Sequence, residues 1–481
     1  MSSRKKILVV AGNLSHLDQF VIHGFFKDLA QSSSVYLTMP EDDFVSERWA
    51  EVSQHVAGVF TEVLPYVYTK QSRSAGYQLG AALTYRFRKR SASYRVRILE
   101  SYFGGFDLPL KIFSRAGFAV LTKNRRELLK RIVHEFPAMT RGMRVFFWAW
   151  SKLVTKKINK GCLIEKVLKE VQPDVTLTFM QRQAGFVIAS IASGDKLNIP
   201  TILIPYKWDN ASSKSPLICT PTRMLVYNRA IKEVCSDLHK MRPNAVVEVG
   251  SVEIGRGDVQ DLKSGQVIVP LIGATIDTQS AAPWLRQISV FLSSKSEIAE
   301  IAKPKFIWRP YPTAEPKNLK FMSQFIAENP RISLDSDIAN AKSHRSSKIS
   351  FADAKSAYER YISLLRSSSF VVSEGTSVIV DARARGLAVI YPAFKKGAVV
   401  GSQWHRLNTS NHLIGLRETT GVFIAEDEEQ LEMLLKDFLS NPRRIPPDNS
   451  GENIFVDHRT YAQRVLDVVD EVVAEKFSTT N

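Results

Sequence analysis

Short apolar runs alternate along the chain with longer stretches whose apolar residues recur every three to four positions. This is the pattern of parallel strands covered by helices. In the first half, the runs predict strands at Ile7 to Ala11, Ser34 to Thr38, Val175 to Phe179, Thr201 to Ile204, Met224 to Tyr227 and Val246 to Val249. A second series predicts strands at Val267 to Leu271, Phe306 to Arg309, Ile332 to Leu334, Phe370 to Ser373, Ala388 to Tyr391 and Val422 to Ala425. Helical periodicity marks Trp284 to Ser296, Leu319 to Asn329, Lys355 to Ser368 and Glu428 to Ser440. Gly250, Gly255, Gly257 and Gly265 punctuate the break between the series. A last helix, about His458 to Lys476, follows the Pro446 to Gly451 loop and is expected to pack back on the first domain.

A length of 481 residues exceeds what a single core usually supports, and points to two domains. The expected boundaries are 1–250, 251–455 and a C-terminal helix over 456–481. Apolar residues at 44% and charged residues at 23% leave no long segment reading as disordered. Three cysteines, Cys162, Cys219 and Cys235, without a C-x-x-C pair fit neither a disulfide framework nor a cysteine zinc site, and suggest a reducing compartment. Basic residues precede Ile7, but the apolar run to Ala11 is too short for a signal peptide and reads as a first buried strand. No stretch reaches the ~18 to 20 apolar residues of a membrane span.

The net charge of +17 is concentrated. Between Lys70 and Lys160 stand 21 Lys and Arg against four acids, an excess equal to that of the whole chain. Aromatic residues from Tyr77 to Trp150 are interleaved with them, so a largely helical basic insertion over about 70–160 is expected. Cations and rings together suit an anionic membrane surface or an acidic acceptor. A solvated basic face over an aromatic core face has the same composition. Nucleic acid is disfavoured, because no helix-turn-helix, zinc-finger or RNP motif accompanies the charge.

The densest chemistry lies in Phe370-Val-Val-Ser-Glu-Gly-Thr-Ser-Val-Ile-Val-Asp381 and continues to Ile390. It reads as a strand, a turn of small and hydroxylated residues, a helix beginning near Ser377, a stop at Gly386 and a second strand. Backbone amides and hydroxyls at a helix N-terminus hold phosphate. Thr376 and Ser377 are thus candidates to grip a diphosphate, with Gly375 in the same donor-binding turn, and Asp381, one turn on, is a candidate for a ribose hydroxyl. An ordinary helix cap with Asp381 exposed is the alternative. Glu374 either meets a donor sugar or caps the turn.

This segment resembles the nucleotide site in the C-terminal half of GT-B glycosyltransferases. It is most similar to the Asp-Tyr-Ser-Ser-x-x-x-Asp pattern of the CDP-glycerol glycerophosphotransferase group, on which Glu374, Thr376, Ser377 and Asp381 fall. Ile307-Trp-Arg-Pro-Tyr-Pro312 resembles that group's Arg-Pro-His-Pro segment, with Tyr311 at the His position. Tyr206-Lys-Trp-Asp-Asn-Ala-Ser-Ser-Lys-Ser215 stands where the group has Trp-His-Gly-Thr-Pro-x-Lys, with Asp209 at the His. It is nearer to a Trp-Asp-Asn-Leu-Thr-Ser-Lys-Gly segment of surface-carbohydrate biosynthesis proteins. Val246-Val-Glu-Val-Gly250 is similar to the passage by which such enzymes enter their second domain.

The resemblance implies an α/β fold of two Rossmann-like domains facing across a cleft. The first takes the acceptor and the second a nucleotide-diphosphate or CMP-linked sugar as donor substrate, with no cofactor and no metal. The implied activity is metal-independent sugar transfer to a glycan or lipid-linked acceptor in surface polysaccharide synthesis. The implied location is cytoplasmic, peripheral at the inner face of the membrane. Asp209 is the candidate base for the acceptor hydroxyl, or an Asx-turn residue. Lys214 and Arg309 are candidate phosphate cations or solvated side chains. His16, in Gly12-Asn13-Leu14-Ser15-His16 after the first strand, and His405 are each catalytic or structural. A nucleotide-sugar 2-epimerase, a polyol-phosphate transferase and a non-catalytic polyanion-binding protein of the same fold stay open.

Overall fold

The computed structural model describes residues 4–69, 156, 158, 162–180, 185–214, 217, 219–253, 270–273, 278–294, 305–310, 316–335, 350–398, 402–446 and 459–478. The basic segment apart from Lys156 and Ile158, together with Tyr311, Pro312 and Val267 to Val269, therefore lies outside the described residues. Two compact units are distinguished. One comprises Met1–Val252, Thr409–His412 and Arg459–Asn481, and the other Glu253–Asn408 and Leu413–His458.

The first unit holds a parallel sheet of seven strands among the described residues: β1 Lys5–Val10, β2 Ser33–Pro40, β3 Glu62–Tyr66, β4 Val175–Met180, β5 Thr201–Pro205, β6 Arg223–Val226 and β7 Val246–Glu248. Their order is β3-β2-β1-β4-β5-β6-β7. Continuous apolar strands arise because both faces are covered. Ile7 and Val9 of β1 enter one hydrophobic core and Leu8 and Val10 the other, as the two-residue repeat of a strand requires. The first of these cores includes Phe20, Phe25, Phe26 and Phe179, with Phe20 and Phe179 ring centroids 4.4 Å apart.

The Tyr461–Ser478 helix closes that core with Val465, Val468, Val469 and Val472. Its polar anchors belong to the same unit. Arg464 Nε donates to the Val249 carbonyl at 2.7 Å, and Arg223, 3% exposed, reaches Glu471 and Glu475 at 2.9 and 2.5 Å. Desolvation pushes the buried Cys162 thiol up to about 12, the half-buried Cys219 thiol to about 11 and the buried Cys235 thiol higher still, so none is a ready thiolate nucleophile.

The second unit repeats the plan with six strands: β8 Leu271–Ile272, β9 Phe306–Trp308, β10 Ile332–Leu334, β11 Phe370–Val372, β12 Ala388–Pro392 and β13 Val422–Ala425. The order is β10-β9-β8-β11-β12-β13, and every pairing is parallel. Each sheet runs outward from its first strand and then returns to build the other side. The reversals fall between β1 and β4 and between β8 and β11. Crevices at the carboxyl ends of such strand pairs are where open α/β sheets bind ligands. In both sheets a glycine stands just beyond the first strand because a side chain has no room. A Cβ on Gly12 would lie 2.0 Å from the Phe186 ring, and one on Gly273 would lie 2.5 Å from Ser373 Oγ.

Most element boundaries shift by a few residues from the sequence expectation, as in the Pro316–Glu328 and Tyr461–Ser478 helices, and three departures are instructive. β3 escapes the pattern because it is a half-exposed edge strand containing Pro65. The Thr278–Ser293 helix begins before Trp284, with Pro283 inside it. The Phe351–Ser367 helix begins four residues before Lys355, where Ser350 Oγ accepts the Asp353 amide at 3.0 Å. That Ser-x-x-Asp cap is itself a sequence signal of a helix start.

Candidate functional site

β8 and β11 end side by side. Val372 pairs with Ile272, and the Gly273 amide donates to the Val372 carbonyl at 2.7 Å. The chain then turns through Ser373, Glu374 and Gly375 into the Ser377–Ala384 helix. The Thr376 amide folds back onto the Glu374 carbonyl at 2.6 Å, and Ile379 N–H onto the Thr376 carbonyl at 3.1 Å. Thr376 is the N-cap residue, in extended conformation at φ −126° and ψ 167°, but its side chain makes no capping hydrogen bond. Its hydroxyl turns instead towards Ser373 Oγ at 3.4 Å.

The amides of Ser377 and Val378 consequently start the helix without an acceptor among the described residues. Orphan donors at a helix N-terminus carry partial positive charge and favour an anion. Ser377 is only half-buried, so the position is open to a ligand. The turn thus caps the helix through the Thr376 backbone without a side-chain hydrogen bond.

Glu374 is wholly buried beneath the turn. Beside it stands Tyr391, whose phenol is raised by burial first and by the Glu374 carboxylate next. Tyr391 Oη lies 3.1 Å from Gln403 Oε1 and 3.4 Å from the Gln403 carbonyl. A polar string therefore leads from the turn to Gln403. It ends at a cavity of about 330 Å³ at the carboxyl ends of β12 and β13, walled by Trp284, Phe394, Lys396, Ser402, Gln403 and Asp427. Trp284 Nε1 and Gln403 Nε2, on side chains 2% and 4% exposed, are donors without an acceptor among the described residues.

Asp381 sits one turn into the helix and is 7% exposed, so it is not the exposed residue of an ordinary surface helix. Tyr361, on the Phe351–Ser367 helix, donates its hydroxyl to Asp381 Oδ2 at 2.8 Å. The Arg309 guanidinium, just past β9, lies over the Tyr361 ring at 4.9 Å and is ion-paired with Asp335 just past β10. The structure thus brings Arg309, Glu374, Gly375, Thr376, Ser377 and Asp381 together at one end of one sheet. Arg309, read from sequence as a phosphate cation or a solvated side chain, has a carboxylate partner. Tyr361, Asp335, Tyr391, Gln403 and Trp284 were not singled out from the sequence, and no local motif marks them.

Of the other candidates, His16, Asp209 and Lys214 belong to the first unit and His405 to the second. His16 ends a short turn after β1, is 8% exposed, and packs its ring against Phe186 and Tyr206 with centroids 6.4 and 5.7 Å away. Asp209 is half-buried in the turn after β5. The turn is held by Asn210 Nδ2 donating to the Met180 carbonyl at 3.3 Å and by His239 Nε2 paired with the Ala211 carbonyl at 2.7 Å. Tyr206, three residues before Asp209, also accepts at its carbonyl from Gln19 Nε2 at 2.8 Å. Lys214 ends the Asn210–Lys214 turn, with its side chain outside the described part. His405 follows the Ser402 hydroxyl, which accepts its amide at 3.3 Å. No cluster of His, Cys, Asp and Glu with metal-binding geometry occurs among the described residues, nor any helix long and apolar enough to cross a membrane.

No protein-family model matches the chain, nor does any curated protein sequence. Solved structures similar to it include a protein assigned as UDP-N-acetylglucosamine 2-epimerase from Listeria monocytogenes, at 12% identity and TM-score 0.48, covering 98% of this chain and 96% of that one. Staphylococcus aureus MnaA with UDP matches at 10% identity and TM-score 0.46, covering 98% and 97%. Acinetobacter baumannii MurG matches at 9% identity and TM-score 0.42, covering 97% and 99%. Likeness at this level leaves the chemistry to be argued from the chain's own residues, and the fold those residues build is a pair of Rossmann-like parallel sheets.

Proposed function

We propose that the chain is a glycosyltransferase of the GT-B type whose second unit binds a nucleotide-activated sugar. The observation that carries this reading is the pair of acceptor-less amides at Ser377 and Val378, set where the strand order reverses. A diphosphate there meets the helix N-terminus, while Asp381 takes a ribose hydroxyl. The string from Glu374 through Tyr391 to Gln403 leads the sugar to the cavity beside Trp284, whose volume lies in the usual range for a small-ligand pocket. In the first unit, Asp209 accepts the proton of the acceptor hydroxyl as that oxygen bonds to the anomeric carbon. The bond from this carbon to the phosphate breaks, and the nucleotide leaves with its electron pair.

A thermal-shift panel of UDP-, GDP-, CDP- and CMP-linked sugars tests the binding half. A donor at about a hundred times its Kd stabilises the fold by about 2.7 kcal/mol. That corresponds to a rise in Tm of roughly 5–10 °C for a unit of this size. No shift with any donor would remove the nucleotide-site assignment. Product analysis separates the reactions, because transfer frees the nucleotide and 2-epimerisation leaves it on the sugar.

The acceptor we place among anionic or lipid-linked glycans, on the strength of the basic aromatic segment between Lys70 and Lys160. Vesicle flotation should then show association with anionic vesicles that weakens as salt rises. Charge reversal at Arg86, Arg88, Lys89 and Arg90 should release the protein while leaving donor binding intact. Absence of association at both low and high salt would leave this acceptor class without support.

A further inference from the structure

We infer that Tyr361 is the positioning residue of the ribose-binding carboxylate, and that discrimination between ribose and deoxyribose depends on its hydroxyl. This rests on the reading that a nucleoside diphosphate occupies the Ser377–Ala384 helix start.

Asp381 is the fifth residue of its helix, beyond the first turn whose amides could hold a carboxylate. At 7% exposure, water does not orient it either. A donor has to come from another element, and Tyr361 supplies one at 2.8 Å from Oδ2. The helix itself is pinned from the other side. Arg385 Nη1 donates to the Asp381 carbonyl at 2.8 Å, and Arg385 Nη2 reaches the Glu253 carbonyl at 3.4 Å. Arg385 thus meets the Asp381 backbone and Tyr361 its side chain, so Tyr361→Phe removes that side-chain contact without touching the backbone one.

The tyrosine is held as firmly as the group it holds. Its ring lies under the Arg309 guanidinium at 4.9 Å, and Arg309 is in turn paired with Asp335. Asp335, Arg309, Tyr361 and Asp381 form one continuous string across the carboxyl ends of β10, β9 and β11. An ion pair and a cation over a ring face fix the orientation of the phenol before any ligand arrives. Burial, with the Asp381 carboxylate beside it, holds the phenol well above its usual range, so the hydroxyl remains a donor through neutral and moderately alkaline pH. A string of this kind matters to a ligand that needs one carboxylate rotamer. Packing alone would be served as well by an apolar pair.

The test is calorimetric titration of the full chain with UDP, CDP and GDP and with their 2′,3′-dideoxy counterparts. The wild type is compared with Tyr361→Phe and Asp381→Asn. Tyr361→Phe keeps the ring beneath Arg309 and removes one oxygen. It is expected to weaken the preferred ribonucleotide about tenfold, the scale of one hydrogen bond to a charged group, while leaving the dideoxy counterpart within about twofold. Asp381→Asn should erase the same discrimination, and the double variant should bind no more weakly than Asp381→Asn alone, because Tyr361 acts only through that carboxylate. If Tyr361→Phe retains wild-type discrimination, or weakens both ligands equally, Tyr361 is not the positioning residue. If the wild type binds ribo- and dideoxynucleotides alike, the ribose role of Asp381 fails first and that of Tyr361 falls with it.

Discussion

Ser377→Pro is expected to abolish most nucleotide binding while leaving the protein folded. Ser377 is the first helical residue of its helix, the position where proline is best tolerated, because that amide makes no intrahelical bond and the ring is preset near helical φ. A proline also constrains the residue before it to the extended region. Thr376 is already there, at φ −126° and ψ 167°. The substitution therefore deletes one amide donor and one hydroxyl from the proposed phosphate cradle with little cost to the helix. A lost donor to a charged group is worth about 1.5–3 kcal/mol, or roughly a ten- to hundredfold loss of nucleoside-diphosphate affinity. The unfolding free energy should stay within about 1 kcal/mol of wild type. Titration calorimetry and denaturant unfolding read the two quantities separately. Unchanged affinity in a folded variant would show that the anion does not sit on this helix.

Much of the fold is legible in the sequence because its strands are buried on both faces. Phe370 to Val372 is a continuous apolar run, and Val175 to Met180 carries apolar and β-branched residues throughout, with every position buried. Glu62 to Tyr66 is hidden for the converse reason: an edge strand needs no continuous apolar run and tolerates Pro65. The turn from Glu374 to Ser377 is legible because its chemistry is local, a strand followed directly by a helix start. Asp381 is read correctly as lying one turn further on, but its environment is not. The group that fixes it, Tyr361, stands 20 residues away in sequence on a helix with ordinary periodicity. Arg309 looks like a spare cation in Trp308-Arg-Pro310 because Asp335 lies 26 residues on, beyond another helix and strand. Local motifs report backbone geometry, whereas pairing of charges is decided by which strand ends the topology sets side by side. For β9 and β10 that is the pairing of Trp308 with Leu334, the residues immediately before Arg309 and Asp335.

Asp209→Asn is expected to lower turnover by about 10²–10⁴-fold, the usual contribution of a positioned general base, with donor affinity changed by no more than about twofold. An amide has the shape of the carboxylate but cannot take the acceptor proton. The local backbone does not depend on the Asp209 carboxylate alone, since Asn210 is bonded to the Met180 carbonyl and His239 to the Ala211 carbonyl and, through Nδ1, to the Leu217 amide at 3.2 Å. That scaffolding places Asp209 at the carboxyl end of β5, in the same crevice as His16, whose ring meets that of Tyr206. His16→Ala provides the internal comparison: loss of a packed ring should affect stability and acceptor KM before it affects the chemical step. The assay is release of free nucleotide from whichever donor the thermal-shift panel identifies, run with and without acceptor glycan, beside a titration of donor binding. A fall in turnover at constant donor affinity marks Asp209 as the base. A parallel fall in both assigns it to donor binding, and wild-type turnover makes it a turn residue, leaving the acceptor proton to another group of the first unit.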